Sequence, residues 1–241
     1  MAFDEDYHYV IKNKLANLLE YLQNTFSCEG VVTIDTHPIL EKDLAQRSGL
    51  GWIGKNTLLI HQQEGSYCFI GSLILNTKLS FHQKPIVRDS CGSCRKCIDI
   101  CPTDAIKDNK VLHIDQCIST FTIETFKEEM YPEGFLEGDK IFGCDLCQEV
   151  CPWNTKPLDK IVPQEFSEDQ HKFLHFFSKT FEEIYKNLQQ LSKKEFALFF
   201  KKTVFLRPGK KGFLKNLKPF LRDVPKSLKS YPENDDLNKG V

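Results

Sequence analysis

The chain has 241 residues, 41% of them hydrophobic, which gives enough material for one large or two small domains and excludes a disordered chain. Its net charge of −1 hides an uneven distribution, because residues 201–230 carry ten Lys or Arg against one acid, Asp223, on an otherwise acidic body. No apolar run approaches the roughly 20 residues that span a bilayer, and the start, MAFDEDYHYVIK, is no secretory signal, so a cytoplasmic protein with no membrane association is expected.

Val10, Ile11, Leu15, Leu18, Leu19 and Leu22 recur at helical spacing and predict a helix over 9–23. Residues 31–34 predict a short β-branched strand ending at Asp35-Thr36. A helix follows from Pro38 to about Arg47, with Gly49 as its stop. The glycine-rich stretch from Gly49 to Asn56 reads as a turn, and strands are expected over 57–60 and 67–75. From Phe173 onward the pattern is helical, with Ser192 and Glu195 spaced as a capping box, and the last ten or so residues are expected to fray. The fold class is therefore α+β. An α/β segment spans 1–85, a cysteine module spans 86–157, and a basic helical region spans 158–241.

In a reducing compartment ten cysteines point to metal, not to disulfides. Cys28 and Cys68 stand apart and are expected to be buried as small hydrophobes. The first run, Cys91-x2-Cys94-x2-Cys97-x3-Cys101-Pro102, has the bacterial ferredoxin spacing, in which three thiolates cap one four-iron cluster and the fourth serves the other. The second run, Cys144-x2-Cys147-x3-Cys151-Pro152, repeats the rhythm without its opening cysteine, and Cys117 is the one cysteine left between the runs. The crossed pattern gives Cys91, Cys94, Cys97 and Cys151 to one cluster and Cys144, Cys147, Cys117 and Cys101 to the other. Zinc on paired Cys-x2-Cys units is the alternative, but it needs neither a third cysteine in register nor two Cys-Pro steps.

Asp35-Thr36-x-Pro38-Ile39-Leu40-Glu41, the stretch from Gly49 to Ile60, Asp6-Tyr7-His8, Cys117-Ile118-Ser119 and the cysteine order together resemble epoxyqueuosine reductase, strongly over residues 5–155 and weakly around Phe205-Leu206-Arg207-Pro208-Gly209. The resemblance implies a reductase that converts epoxyqueuosine to queuosine at the wobble position of tRNA, using cobalamin and two 4Fe-4S clusters. It implies a nitroreductase-like cobalamin-binding segment over 1–85, incomplete because the family carries a sizeable segment before Asp-Tyr-His. Its partners would be the tRNA anticodon loop and an electron donor such as a flavodoxin or ferredoxin system, and the chain would act as a monomer.

By the same resemblance Asp35 is the proton donor and a cobalamin contact. The alternative is that it caps the helix at Pro38. Lys55, Asn56, His61, Ser72 and Ser119 are carried as cobalamin-pocket residues by family position. Without that context Lys55 reads as a solvated lysine on a tight turn and His61 as an ordinary strand-end histidine, not a cobalt ligand. In the tail, Lys201, Lys202, Arg207, Lys210, Lys211, Lys215, Lys218 and Arg222 together give a positive charge that is expected to favour nucleic-acid phosphates. Phe205, Phe213 and Phe220 are read as core residues rather than as base-stacking platforms. Two rival readings are a ferredoxin-type electron carrier and a cobalamin-dependent reductase of small molecules.

Overall fold

The computed structural model describes residues 5–35, 37–78, 80, 84–124, 131, 140–159 and 167–221. Arg222, Thr36 and the expected fraying end lie outside them. The chain divides into two compact units, one built from 1–117, 144–167 and 202–204, the other from 118–143, 168–201 and 205–241.

The first unit opens with helix α1, Tyr7–Phe26. The Asp6 side chain accepts from the His8 N–H at its start, and Ser27, in the left-handed conformation, closes it through an N–H bond to the Gln23 carbonyl. The helix lies against an antiparallel pair, β1 (Gly30–Thr33) and β4 (Ser72–Leu75), in the register Gly30 opposite Leu75 to Thr33 opposite Ser72. Helix α2, Glu41–Arg47, starts three residues later than Pro38. It ends in a Schellman motif: Gly49 N–H bonds Gln46 O at 3.0 Å and Leu50 N–H bonds Ala45 O at 3.1 Å, with Gly49 at φ +73°. Only glycine takes that backbone without strain.

The expected glycine-rich turn contains a strand. β2 (Trp52–Ile53) pairs with β3 (Leu59–Ile60) around a tight turn at 54–58. A Cβ at Gly51 would sit 2.1 Å from the Ile60 carbonyl oxygen, so the hairpin closes only without a side chain there. The expected strand over 67–75 is shorter, because 67–71 is extended but unpaired. This places Cys68 at the surface, whereas Cys28 is buried. Cys68 lies on the irregular stretch before β4, where the in–out alternation of a strand has not begun, and its exposure corrects the expectation for Cys68.

Two short helices, α3 (Lys96–Asp99) and α5 (Leu146–Glu149), pack together at the centre of the cysteine module. A hairpin of β5 (Ile106–Lys107) and β6 (Val111–Leu112) follows the first run, and α6 (Pro152–Asp159) follows the second.

The second unit holds α4 (Ile118–Thr122), α7 (Glu168–Phe177), α8 (Phe181–Gln190), α9 (Lys193–Phe199) and α10 (Gly209–Leu217). Capping boxes Thr180/Glu183 and Ser192/Glu195 start α8 and α9. Its core is a stack of phenylalanines in which Phe200 and Phe213 are fully buried and parallel at 5.9 Å, with Phe173, Phe196 and Phe205 around them. No helix among the described residues is long and apolar enough to cross a membrane.

Candidate functional site

The two cysteine runs fold into the same local structure. Cys101 N–H bonds the Ile98 carbonyl at 3.2 Å, and Cys151 N–H bonds the Gln148 carbonyl at 3.1 Å, each three residues back. Arg95 and Asp145 open the two short helices through equivalent carbonyl bonds. The spacing Cys-x2-Cys-x3-Cys therefore encodes the same short turn twice.

Two lysines tie this module to the β2–β3 hairpin. Lys55 Nζ donates to the carbonyls of Gly92 and Cys94, both at 2.8 Å. Lys110 Nζ donates to the Ile53 carbonyl at 2.7 Å and pairs with Asp89 at 2.6 Å. Asp89 in turn accepts the Cys91 N–H at 2.8 Å. Burial pulls the Asp89 carboxyl up, but Lys110 and the Cys91 N–H outweigh it and hold the group below the ordinary aspartate range. Behind Cys151, the fully buried Asn154 accepts from Ser66 N–H at 2.7 Å and donates to Ser66 Oγ and to the Gln148 carbonyl, at 2.9 and 2.7 Å.

The thiols act on one another in groups. Burial pushes Cys151 up, and the charges of Cys91 and Cys94 add to it. Cys97 is raised by burial and then by Cys151, Cys91 and Cys94. Cys147 is pushed up to about 12 by burial and then by Cys144, Cys117 and Cys97. Thiolates this crowded persist only beside a compensating cation, which is what bound iron provides. Cys91, Cys94, Cys97 and Cys151 also line one cavity of about 260 Å³, with Lys55, Asn56, Ile60, Lys96 and Trp153 completing the wall. That volume has room for a polynuclear cluster, and a soft thiolate set suits iron–sulfur chemistry. Cys101 accepts the Ala105 N–H at 3.3 Å, a bond that stabilises a thiolate.

A second constellation lies after β1. Asp35 sits at φ +26°, a strained position for a residue with a side chain. Its Oδ1 is 2.7 Å from His8 Nε2, and its Oδ2 accepts from the Tyr7 hydroxyl. His8 Nδ1 is 2.8 Å from Asp6 Oδ1. Both ring nitrogens thus face carboxylates, a position that only the doubly protonated imidazolium satisfies at both ends. Burial pulls His8 down, but Asp6 and Asp35 outweigh it and raise the group above its ordinary value. Tyr7 stacks on Phe69 with ring centroids 3.9 Å apart, which fixes the phenol. The Asp35 side chain is 43% exposed. Sequence reasoning gives Glu41 no role of its own. Its carboxylate accepts the Asp35 backbone N–H, and burial followed by the Asp35 charge raises it above the usual range.

The remaining expected residues are scattered. Lys55 and Asn56 sit on the cluster cavity. His61 Nδ1 accepts the N–H groups of Gln63 and Glu64 at 3.3 and 3.2 Å, which makes it a turn cap. Ser72 pairs with Thr33 in β4. Ser119 belongs to the second unit, where its carbonyl accepts from Ile123 and Glu124.

Several of the tail's basic residues are engaged internally. Lys215 is buried, donates to the Phe121 carbonyl at 2.7 Å and sits 4.4 Å from the Tyr131 ring centroid. Lys210 caps the end of α8 through the Gln189 and Leu191 carbonyls, Arg207 pairs with Glu124, and Lys202 pairs with Glu5. The reason is local: helix ends leave carbonyls unpaired, and lysines nearby satisfy them. Phe205 and Phe213 are core residues, as expected.

The 4Fe-4S double cluster binding domain family matches residues 90–154. The epoxyqueuosine reductase of Leadbetterella byssophila is 37% identical over 226 residues, which cover 92% of this chain and 69% of that protein. An epoxyqueuosine reductase solved with a tRNA-Tyr epoxyqueuosine-modified stem loop aligns with a TM-score of 0.71 at 28% identity, over 88% of this chain and 54% of the other. The Bacillus subtilis epoxyqueuosine reductase, solved with an aspartate catalytic loop swung out of its active site, aligns with a TM-score of 0.72 at 28% identity over the same shares. The chain spans about two thirds of the length of the first curated relatives and about half of the solved chains. With that identity sustained along more than two thirds of a curated relative, the chain belongs to the epoxyqueuosine reductase family.

Proposed function

We propose that the chain reduces epoxyqueuosine to queuosine in tRNA, with Asp35 as the proton donor. The observation that carries this is the Asp35 carboxyl held between His8 Nε2 at 2.7 Å and the Tyr7 hydroxyl, in a chain of this family. Opening the epoxide to an alkene and releasing its oxygen as water consumes two electrons and two protons. Asp35, an acceptor at both oxygens, takes a proton from the His8 imidazolium and passes it to the departing oxygen, while Asp6 favours reprotonation of His8 and Tyr7 holds the carboxyl in register.

Bound cobalamin supplies the low-valent cobalt chemistry that the reduction draws on, in a nitroreductase-like segment. The residues suited to hold it are those around Asp35 and Ser72. Lys55, Asn56 and His61 are better employed where they lie. Cys91, Cys94, Cys97 and Cys151 hold one cluster, and Cys101, Cys117, Cys144 and Cys147 the other. The hairpin that carries Lys55 and Asn56 lends its side chains to the first cavity, which makes that cluster the outlet toward the α/β segment. A flavodoxin or ferredoxin system supplies the electrons, and the chain acts as a monomer in the cytoplasm.

Exposed Lys201, Lys211 and Lys218 contribute phosphate contacts to the tRNA. Anaerobic reconstitution with iron, sulfide and cobalamin, followed by mass analysis of epoxyqueuosine-containing tRNA, tests the reading. Loss of one oxygen is expected. Unchanged tRNA with both clusters and cobalamin loaded would refute it.

A further inference from the structure

We infer that Asn56 donates a hydrogen bond to the cluster held by Cys91, Cys94, Cys97 and Cys151, and so raises that cluster's potential. The inference rests on the cluster assignment made above. Asn56 lines the cavity those cysteines ring, yet is only 4% exposed. Its Oδ1 accepts the Leu58 N–H at 3.3 Å, which fixes the orientation of the carboxamide. Its Nδ2 is left buried, and no partner for it exists among the described residues.

A turn cap needs only the oxygen, and aspartate or serine would provide one equally well. The amide nitrogen is therefore surplus to the turn and costs free energy where it lies, unless something accepts from it. The cavity offers one class of acceptor, the sulfide and thiolate sulfurs of a bound cluster. N–H donors to such sulfurs favour the more negative, reduced state and raise the potential.

The test uses the whole chain, anaerobically reconstituted with iron and sulfide and without cobalamin. Side-chain 15N-asparagine is incorporated, and the reduced protein is examined by pulsed EPR. Asn56 is the one asparagine among the residues lining the cavity. A 15N coupling to one cluster is expected, lost in Asn56→Ser. In a redox titration Asn56→Leu lowers one of the two midpoints, so that at the original midpoint the reduced-to-oxidised ratio falls about tenfold, or about 59 mV for a one-electron couple. The second midpoint stays in place and serves as the internal reference. A loaded native chain without the coupling overturns the proposal alone, as does Asn56→Leu at full iron content with both midpoints unchanged. A chain that takes up zinc, or no iron, overturns the cluster assignment and the proposal together. If Asn56→Leu fails to load iron, the coupling in the native chain decides.

Discussion

Replacing Asn154 by alanine removes the knot that holds α6 to the 61–66 turn. The side chain is fully buried and makes three bonds: from Ser66 N–H at 2.7 Å, to Ser66 Oγ at 2.9 Å and to Gln148 O at 2.7 Å. Ser66 Oγ keeps Gln148 Oε1 as a partner at 3.0 Å and the Gln148 carbonyl keeps the Cys151 N–H at 3.1 Å, so the group newly stranded is the Ser66 N–H. Stranding one buried group costs about 1–3 kcal/mol. For a chain of this size that lowers Tm by about 2–12 °C. Asn154→Asp keeps the acceptor for Ser66 N–H but loses the donors, and is expected to fall between the two.

The effect reaches the metal as well. Asn154 N–H bonds the Cys151 carbonyl at 3.0 Å, so loosening α6 frees a cysteine of the proposed first cluster, and on that assignment Asn154→Ala should lose iron preferentially from that site. The assay is thermal unfolding of the reduced chain, with and without iron, alongside iron content per chain. A Tm within about 2 °C of the parent, with full iron, would show that this network carries no weight and refute the accounting.

Asp35→Asn is expected to lower turnover of epoxyqueuosine tRNA by about 10²–10⁴-fold with both clusters intact, and activity within a few-fold of the parent would exclude Asp35 as the donor. His8 is raised above its unfolded value near 6.5, so its stabilising contribution is complete below about pH 6.5 and is lost as pH rises through the folded value. His8→Gln should flatten the dependence of Tm on pH in that window, and an unchanged slope would remove the Asp6–His8–Asp35 coupling. Lys215→Met should destabilise the helical unit by about 1–3 kcal/mol, because it strands the Phe121 carbonyl, and leave the salt dependence of tRNA binding unchanged. Lys211→Gln should lower the salt slope of tRNA binding by about one. Lys55→Met should weaken iron retention, since it releases the Gly92 and Cys94 carbonyls, and normal retention in a chelator challenge would argue against that role.

Sequence is a good guide to this molecule wherever the signal is local. The Cys-x2-Cys-x3-Cys rhythm is one short turn repeated, and a short turn is dictated by neighbouring residues. Gly49 announces the end of α2 because few other residues tolerate φ +73°. Ser192 and Glu195 announce a capping box that is closed entirely within four residues. The Asp35 site is harder to read. Tyr7 and His8 lie 28 and 27 residues away, and only the packing of α1 against β1 and β4 brings them to the carboxyl. The tail is hard to read for a related reason. Charge counts do not say which lysines fold back onto carbonyls, and Lys215 is buried although its neighbours in sequence suggest a solvated face.

The two cysteine runs share their turns but part after each Cys-Pro, and the difference explains why the first cavity is walled by the α/β segment. After Cys101-Pro102 the chain reverses through Asp104 at φ +51° into the β5–β6 hairpin, whose turn delivers Lys110 to Ile53 and Asp89. After Cys151-Pro152 it continues as α6, and the helix carries Trp153 onto Trp52 at 4.8 Å and Asn154 onto Ser66. Proline suits both outcomes, since it presets φ without requiring a helix. What differs is the residue beyond it. A left-handed Asp104 turns the first run back, while Trp153 and Asn154 find apolar and polar partners only if the second run keeps coiling. The hairpin is thereby clamped from both sides, by Lys110 after one run and by α6 after the other, and Lys55 closes the remaining gap onto Cys94. Cutting any one clamp should loosen the cavity ringed by Cys91, Cys94, Cys97 and Cys151, because the hairpin supplies part of its wall through Lys55, Asn56 and Ile60.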